Sequence, residues 1–316
     1  MDIAIKAEGL TKRYPSQKGA AALQEFTLEI PQGILFGLVG PDGAGKTTTL
    51  RILSSVMESS SGKASIAGFD VHAQAEEVRE RIGYMPQNFS LYPDLSVQEN
   101  LDFFADIQKV PSMQKKTRIA EMLAFTHLED FTGRRAGKLS GGMKKKLALA
   151  CAIVHDPQVL ILDEPSTGVD PVSRRELWVL LAKVVQTGVT VLVSTPYMDE
   201  AERCHQVGML YQGRLLAACS PEEIIVDLPF EIIEVKAKPR RLMREIVAES
   251  NEVLDWHPVG DRLRIVVSGN GSTARVIRLL EKQFKASNLD VLLLRPARRT
   301  MEDAFVHLVK TQRGQA

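Results

Sequence analysis

The chain has 316 residues, 44% of them apolar and 25% charged, with 40 Lys and Arg against 39 Asp and Glu for a net charge of +1. These values exclude a disordered chain, and the charge balance argues against a dedicated nucleic-acid binder, which carries a basic excess. The longest apolar run, Leu147 to Val154, is eight residues, well short of the roughly 17–25 that cross a bilayer. The start, MDIAIKAEGL, lacks the apolar core of a secretory signal. Three cysteines without CxxC spacing (Cys151, Cys204, Cys219) read as free thiols in a reducing compartment. A soluble cytoplasmic protein of two domains is expected.

Short apolar runs alternate with helical patterns from the start to residue 222, which predicts an α/β fold with a largely parallel sheet. The predicted strands are Ile3–Ala7, Phe26–Ile30, Ile34–Val39, Ala64–Ile66, Ile82–Met85, Val159–Leu162, Val189–Val193 and Val207–Tyr211. Turn residues at Pro31-Gln32-Gly33 and Gln212-Gly213 predict two hairpins. From Asn88 to Leu139 the strand signal gives way to amphipathic helices over Ser96–Ile107 and Met113–Phe125, read as a helical subdomain inserted in the α/β core. A second domain is expected over residues 229–316: strand Phe230–Ala237, helix Arg240–Glu249, strands Val253–His257 and Arg262–Val267 joined at Gly260-Asp261, helix Ser272–Lys285 and strand Val291–Leu294. That βαββαβ order is the split βαβ unit of an α+β ferredoxin-like domain, and a helix over Met301–Lys310 follows it. From Ile224 onward 16 Lys and Arg face 12 Asp and Glu, a mildly basic balance that reads as solvated surface.

Gly40-Pro41-Asp42-Gly43-Ala44-Gly45-Lys46-Thr47 fits G-x-x-x-x-G-K-[ST]. It follows the predicted strand Ile34–Val39 and opens a helical stretch from Thr48 to Val56, the strand–loop–helix context the motif requires. Glycines let successive backbone N–H groups turn inward on phosphates, and the helix N-terminus favours negative charge. Lys46 is placed for the β- and γ-phosphates, and the Thr47 hydroxyl for Mg²⁺. Val159 to Leu162 is an apolar strand that ends in Asp163 and Glu164. Ligands gather at the carboxyl ends of parallel strands. Asp163 is therefore a candidate Mg²⁺ ligand, directly or through water, and Glu164 a candidate general base for an attacking water.

With Leu139-Ser140-Gly141-Gly142-Met143 lying 23 residues before Asp163, residues 1–222 resemble a P-loop ABC-type nucleotide-binding domain, and the chain is identified as a member of the ABC ATPases. The resemblance implies ATP and Mg²⁺ as cofactors, with hydrolysis of ATP to ADP and phosphate. It assigns Gly83-Tyr84-Met85-Pro86-Gln87 as the Q-loop, with Gln87 at Mg²⁺ and sensing a membrane partner. Ser166-Thr167-Gly168-Val169-Asp170 becomes the D-loop at a dimer interface, and Tyr14 an aromatic ring stacked on adenine. A partly buried aromatic at a strand end is the other reading of Tyr14. In the family two such domains pack head to tail, so Ser140, Gly141 and Gly142 address the nucleotide held by the partner's phosphate loop, Thr48 included in its cradle. Lys144-Lys145-Lys146 either adds positive charge there or is a solvated helix start.

The stretch Leu91 to Leu101, Met143, and Met301-Glu302-Asp303-Ala304-Phe305 resemble ABC-2-type exporters. In those systems the ATPase is a separate cytoplasmic chain, peripheral to the inner face of the cell membrane through its permease subunits. Phe89, Leu91 and Tyr92 are candidates for the permease contact, against plain core packing. One position departs from the pattern. In Val193-Ser194-Thr195-Pro196-Tyr197-Met198-Asp199-Glu200-Ala201-Glu202, Pro196 stands where the family usually has a His that holds the γ-phosphate and the attacking water. Proline offers neither a side-chain donor nor an N–H, and losing one such donor costs about 10²–10³ in rate. The expectation is a weak site on this chain's own Lys46 and an intact signature loop serving a different ATPase in a heterodimer. A homodimer in which another group replaces the His, and a regulatory nucleotide-binding module without turnover, are the competing readings. A soluble ABC ATPase acting on nucleic acid or ribosomes fits the single domain and balanced charge poorly.

Overall fold

The chain folds as two units, Met1–Pro221 and Glu222–Ala316, in a computed structural model that describes residues 2–14, 21–88, 91–269 and 271–314. In chain order the first unit runs β1 (Ile3–Lys12), β2 (Leu23–Pro31), β3 (Leu35–Val39), α1 (Lys46–Leu53), β4 (Ser61–Ile66), β5 (Phe69–Asp70), α2 (Ala75–Arg81) and β6 (Ile82–Met85). It continues α3 (Val97–Ile107), α4 (Ser112–Thr126), α5 (Gly141–Ile153), β7 (Val159–Asp163), α6 (Pro171–Gln186), β8 (Thr190–Thr195), α7 (Met198–Ala201), β9 (Gln206–Tyr211) and β10 (Arg214–Cys219). Helix α8 (Pro221–Val226) follows.

Among the described residues, the strands of this unit form two sheets, ordered β2-β1-β4-β5 and β10-β9-β3-β8-β7-β6. In the second sheet β9, β3, β8, β7 and β6 are parallel, and β10 closes one edge antiparallel. Every residue of β3, β7 and β8 is buried, as expected for strands covered on both faces. β2 instead alternates, with Leu23, Phe26, Leu28 and Ile30 inward. That difference corrects one expectation. Gln212-Gly213 does turn the β9–β10 hairpin, with φ of +48° and +77°, but Pro31-Gln32-Gly33 makes no hairpin. It carries the chain from one sheet to the other, because β2 pairs with β1 while β3 pairs with β8 and β9. β5 and α2 were not expected from sequence: β5 is two residues long, and α2 buries only Val78.

The helical insert is built from α3, α4 and α5. Ser96 caps α3 rather than joining it: its hydroxyl accepts from Glu99 N (3.2 Å) and its own N–H donates to Glu99 Oε2 (2.7 Å). This reciprocal capping box satisfies two orphan donors and holds the Glu99 carboxyl below the usual range. One turn on, Asn100 is fully buried. Its amide donates to the carbonyls of Tyr92 (3.1 Å), Leu95 (3.2 Å) and Ser96 (2.8 Å), and its Oδ1 accepts from Tyr92 N (2.9 Å). One side chain thus folds residues 92–96 onto the start of α3.

The second unit runs β11 (Phe230–Lys238), α9 (Arg240–Glu249), β12 (Val253–Val259), β13 (Arg262–Ser268), α10 (Thr273–Ala286), β14 (Asp290–Ala297) and α11 (Met301–Gly314). Its sheet is antiparallel in the order β12-β13-β11-β14, the ferredoxin-like arrangement expected from the element order. Val235, Leu263, Ile265, Met243, Val276 and Phe284 are among the side chains that pack the sheet against α9 and α10. Arg264 on β13 donates to Asp303 Oδ2 (2.7 Å) on α11 and to Glu234 Oε1 (3.2 Å) on β11. Asp303 Oδ2 also accepts from Thr300 N (2.8 Å), so the capping acid of α11 doubles as its tie to the sheet.

Asn100→Ala removes four hydrogen bonds and leaves the Tyr92 N–H without its partner, while the carbonyls of Tyr92, Leu95 and Ser96 each keep a backbone donor. It is expected to destabilise the first unit by about 3 kcal/mol, read as a lower chemical-denaturation midpoint. An unchanged midpoint would contradict the role given to this side chain.

Candidate active site

The phosphate-loop sequence lies between β3 and α1. Its glycines are forced by the backbone: a Cβ at Gly40 would sit 2.2 Å from Leu210 O, and Gly45 has φ +111° with Ala22 O 2.6 Å from where its Cβ would be. Gly45 caps α1 with no side chain, so the first helical N–H groups face the loop rather than a hydroxyl. Lys46 is buried, 3% exposed. Its ammonium donates to Gly40 O (2.8 Å) and Pro41 O (3.1 Å) and lies 3.3 Å from Glu164 Oε1.

Asp163 and Glu164 stand at the carboxyl end of β7. Asp163 Oδ1 accepts from Thr47 Oγ1 (3.2 Å) and from Ser194 Oγ (2.7 Å). The same serine oxygen accepts from Glu164 N (3.0 Å), so β8 aligns both acids. Glu164 takes a left-handed backbone, φ +48°, which costs a non-glycine residue about 1–3 kcal/mol and is tolerated where the surroundings over-determine it. The surroundings here are explicit. Glu164 Oε1 faces Lys46, while Oε2 accepts from Gln87 Nε2 (3.0 Å) and Thr167 Oγ1 (3.3 Å). The Tyr84 phenol on the adjacent β6 has its pKa raised, by burial first and by Asp163 second.

The second oxygen of Asp163 is buried and has no hydrogen-bond partner among the described residues. An anionic oxygen left so, beside the Thr47 hydroxyl, is what a hard cation with oxygen ligands would satisfy, and Mg²⁺ typically takes only one or two carboxylates beside phosphate oxygens. The residues fit Mg²⁺, which Asp163 and Thr47 would hold. Gln87, also expected at this ion, donates its Nε2 to Glu164 Oε2, a bond that does not use its carbonyl oxygen.

A cleft of about 670 Å³ opens over these groups, lined by Tyr14, Asp42, Lys46, Thr48, Glu164 and Gln212 among others. Tyr14 OH shares a hydrogen bond with Thr48 Oγ1 (3.2 Å), which ties the ring to the helix that follows the phosphate loop. Of the sequence-expected residues, the cleft thus gathers Tyr14, Asp42, Gly43, residues 45–48, Gln87 and Glu164, while Gly40, Pro41 and Ala44 do not line it and Asp163 is joined to it through Thr47. It does not include Ser140, Gly141, Gly142 or Asp170. Ser140 caps α5, accepting from Met143 N (3.3 Å). Gly142 is sterically forced, since a Cβ there would meet Ser173 Oγ at 2.2 Å. Asp170 caps α6 by accepting from Val172 N and Ser173 N, each at 3.0 Å, and its bonds to Ser173 lead in holding the carboxyl below its usual range. Phe89 lies outside the described residues.

Thr167 was expected only as part of the D-loop and Ser194 only as part of the stretch around Pro196; their bonds to Glu164 and Asp163 were not expected from sequence. Ser194 pairs with Asp163 across β7 and β8, a placement that needs the strand order. The three cysteines are free, as expected, and burial raises the Cys204 thiol to about 12.

A family model described as "ABC transporter" matches residues 23–167. The chain is 34% identical over 313 residues to the Nod factor export ATP-binding protein I of Burkholderia thailandensis, covering 95% of this chain and 98% of that protein. The chain belongs to the ABC transporter family. It is also 47% identical over 224 residues to the probable multidrug ABC transporter ATP-binding protein YbhF of Escherichia coli, covering 71% of this chain. The chain spans 38% of the length of YbhF in that match. Among solved structures it is similar to a dimeric bacterial ABC transporter cassette, with TM-score 0.63 and 26% identity over 68% of this chain and 98% of that one. The first unit is therefore an ABC ATPase catalytic domain of a family that uses ATP with Mg²⁺, and it carries the inserted helical subdomain expected from sequence.

Asp163→Asn keeps the shape of the side chain and removes its charge. Titration of a fluorescent ATP analogue is expected to show the Mg²⁺-dependent gain in affinity reduced by about 10–100-fold, with the Mg²⁺-free affinity unchanged within about twofold. An undiminished Mg²⁺ effect would remove Asp163 as a ligand.

Proposed function

We propose that this chain is the ATP-binding subunit of an ABC-2-type exporter and couples MgATP binding and hydrolysis to movement of a substrate through separate membrane subunits. The observation that carries this reading is the convergence of Lys46 and Gln87 on the Glu164 carboxylate under a single cleft, with Asp163 bonded to Thr47 beside them. In it Lys46 and the loop Gly40–Thr48 hold the phosphates and Asp163 with Thr47 holds Mg²⁺. Glu164 orients and deprotonates the attacking water, and Tyr14 stacks on the adenine. A relative named for Nod factor export, aligned over nearly the whole of both chains, supports the direction of transport. Ser140, Gly141, Gly142 and Asp170 lie outside this chain's own cleft, which suits them to a nucleotide held by a second ATP-binding subunit. The dimeric cassette among its structural relatives supports that pairing.

Among the described residues no helix is long and apolar enough to cross a membrane, so the membrane-crossing part is assigned to partner chains and this chain to the cytoplasmic face. A groove of about 470 Å³ between the helical insert and residues 167–169, lined by Gln87, Leu91, Pro93, Lys144, Lys145 and Val169 among others, is the proposed permease contact. Tyr92 stands beside it, 45% exposed with its ring 4.5 Å edge-on from Phe103. Lys145 Nζ donates to Gln87 O (3.4 Å), so an occupant of the groove is one bond from the residue that contacts Glu164. Residues 1–222 are taken as the ATPase domain and 229–316 as an accessory domain.

Pro196 favours an asymmetric pair, in which this chain's own site turns over slowly and its signature loop completes a competent site on a His-bearing partner. Steady-state MgATPase of the purified chain beside Pro196→His tests this. The parent is expected to be slow and the variant at least about tenfold faster, a part of the loss expected for one missing donor. A parent rate of about 1 s⁻¹, ordinary for an enzyme, would overturn the asymmetric pair and make the chain a working homodimer.

A further inference from the structure

Glu200, on α7, is 1% exposed. A buried carboxylate is costly unless its lone pairs are filled, and the groups that fill these come from two separate segments. Oε2 accepts from Ser166 Oγ (2.9 Å) and from Thr195 Oγ1 (2.5 Å). Ser166 is two residues after Glu164, at the head of the loop that runs to Asp170. Thr195 immediately precedes Pro196. The Thr195 hydroxyl in turn accepts from Tyr197 N (3.1 Å), so one oxygen brackets Pro196 from both sides. Thr195 O accepts from Gly40 N (3.4 Å), the first residue of the phosphate loop.

The third approach is loose. Arg174, on α6 just beyond the Asp170 cap, holds its Nε 3.7 Å from Glu200 Oε1. Neither atom has a hydrogen-bond partner among the described residues, although both are buried. The Arg174 guanidinium lies over the Tyr197 ring at 4.6 Å, so a closing movement of well under 1 Å would join α6 to the same carboxylate.

We propose that Glu200 is a positioning residue that fastens the loop following Glu164 to the residues around Pro196, so that the two segments flanking Glu164 order or loosen together. This deepens the ATPase reading of the same site, because one segment leads to the proposed dimer-facing Asp170 and the other to the place of the expected phosphate-sensing side chain. An ordinary core carboxylate would serve only the stability of its own helix.

The two readings separate by reciprocity. Hydrogen–deuterium exchange of the full chain is compared for the parent, Ser166→Ala, Thr195→Val and Thr195→Ser. Thr195→Val is expected to speed exchange across residues 166–170, and Ser166→Ala across 195–198, each by about tenfold. That factor is the worth of one hydrogen bond to a charged group. Thr195→Ser keeps the hydroxyl and is expected to leave the 166–170 amides within about twofold of the parent. Where turnover is measurable, both hydroxyl-deleting variants are expected to lower kcat with KM for ATP unchanged within about twofold, because neither residue lines the nucleotide cleft. Acceleration confined to the mutated segment, or equal behaviour of Thr195→Val and Thr195→Ser, would overturn the proposal. The exchange result does not depend on turnover or on a permease, so it stands or falls apart from the transport reading.

Discussion

A buried ion pair sets the geometry of this protein. Lys46 and Glu164 face each other at 3.3 Å, with side chains 3% and 7% exposed, and desolvating two charges is costly enough that every remaining lone pair and proton must be used. The fold meets that demand from several directions. Lys46 turns its other donors onto the carbonyls of Gly40 and Pro41, which bends the phosphate loop around the ammonium. Glu164 takes the amide of Gln87 and the hydroxyl of Thr167 on its second oxygen. The parallel order β3-β8-β7-β6 is what makes these approaches converge, because it sets the carboxyl ends of the four strands side by side. Beside the pair, Asp163 Oδ2 is buried without a hydrogen-bond partner among the described residues, an acceptor that fits Mg²⁺.

The same pair reaches the rest of the first unit through short links. Gln87 joins it to the helical insert, since Lys145 on α5 donates to the Gln87 carbonyl. Burial lowers the Lys145 ammonium below the usual lysine range, while Glu164 and Asp163 pull the other way, so this lysine feels the acids as well as the loop. Thr167 joins the pair to the loop that ends in the Asp170 cap, and Ser194 joins both acids to β8. The groove, the loop 166–170 and the residues around Ser194 are each one or two bonds from Glu164. Under the proposed function, these links would carry a change at any of these places to the carboxylate, as coupling ATP to a distant membrane partner requires.

Much of this was legible in the sequence because the responsible patterns are local. The phosphate loop has fixed spacing. The buried strand before Asp163 is an unbroken apolar run, and the βαββαβ order of the second unit follows from hydrophobic periods with a Gly260-Asp261 turn. What was not legible depends on strand order and on packing. Pro31-Gln32-Gly33 carries the same turn residues as a hairpin, and only the pairing of β2 with β1 shows it to be a crossover between sheets. Ser194 earns its place because β8 lies beside β7 with Ser194 level with Asp163. Asn100 and Glu200 are polar residues on helices, yet both are buried and bonded to segments that their own helices do not contain. Polar residues recruited by tertiary contacts leave no periodic trace.

The central claim is that nucleotide phosphates bind where Lys46 meets Glu164 beneath the glycine loop. Its most direct test is equilibrium binding of MgATP to Lys46→Met beside the parent chain, with circular dichroism to confirm that both are folded. The account predicts that affinity falls by at least about tenfold, because a buried charge-assisted contact to phosphate is lost. A folded Lys46→Met chain that binds MgATP as tightly as the parent would contradict it.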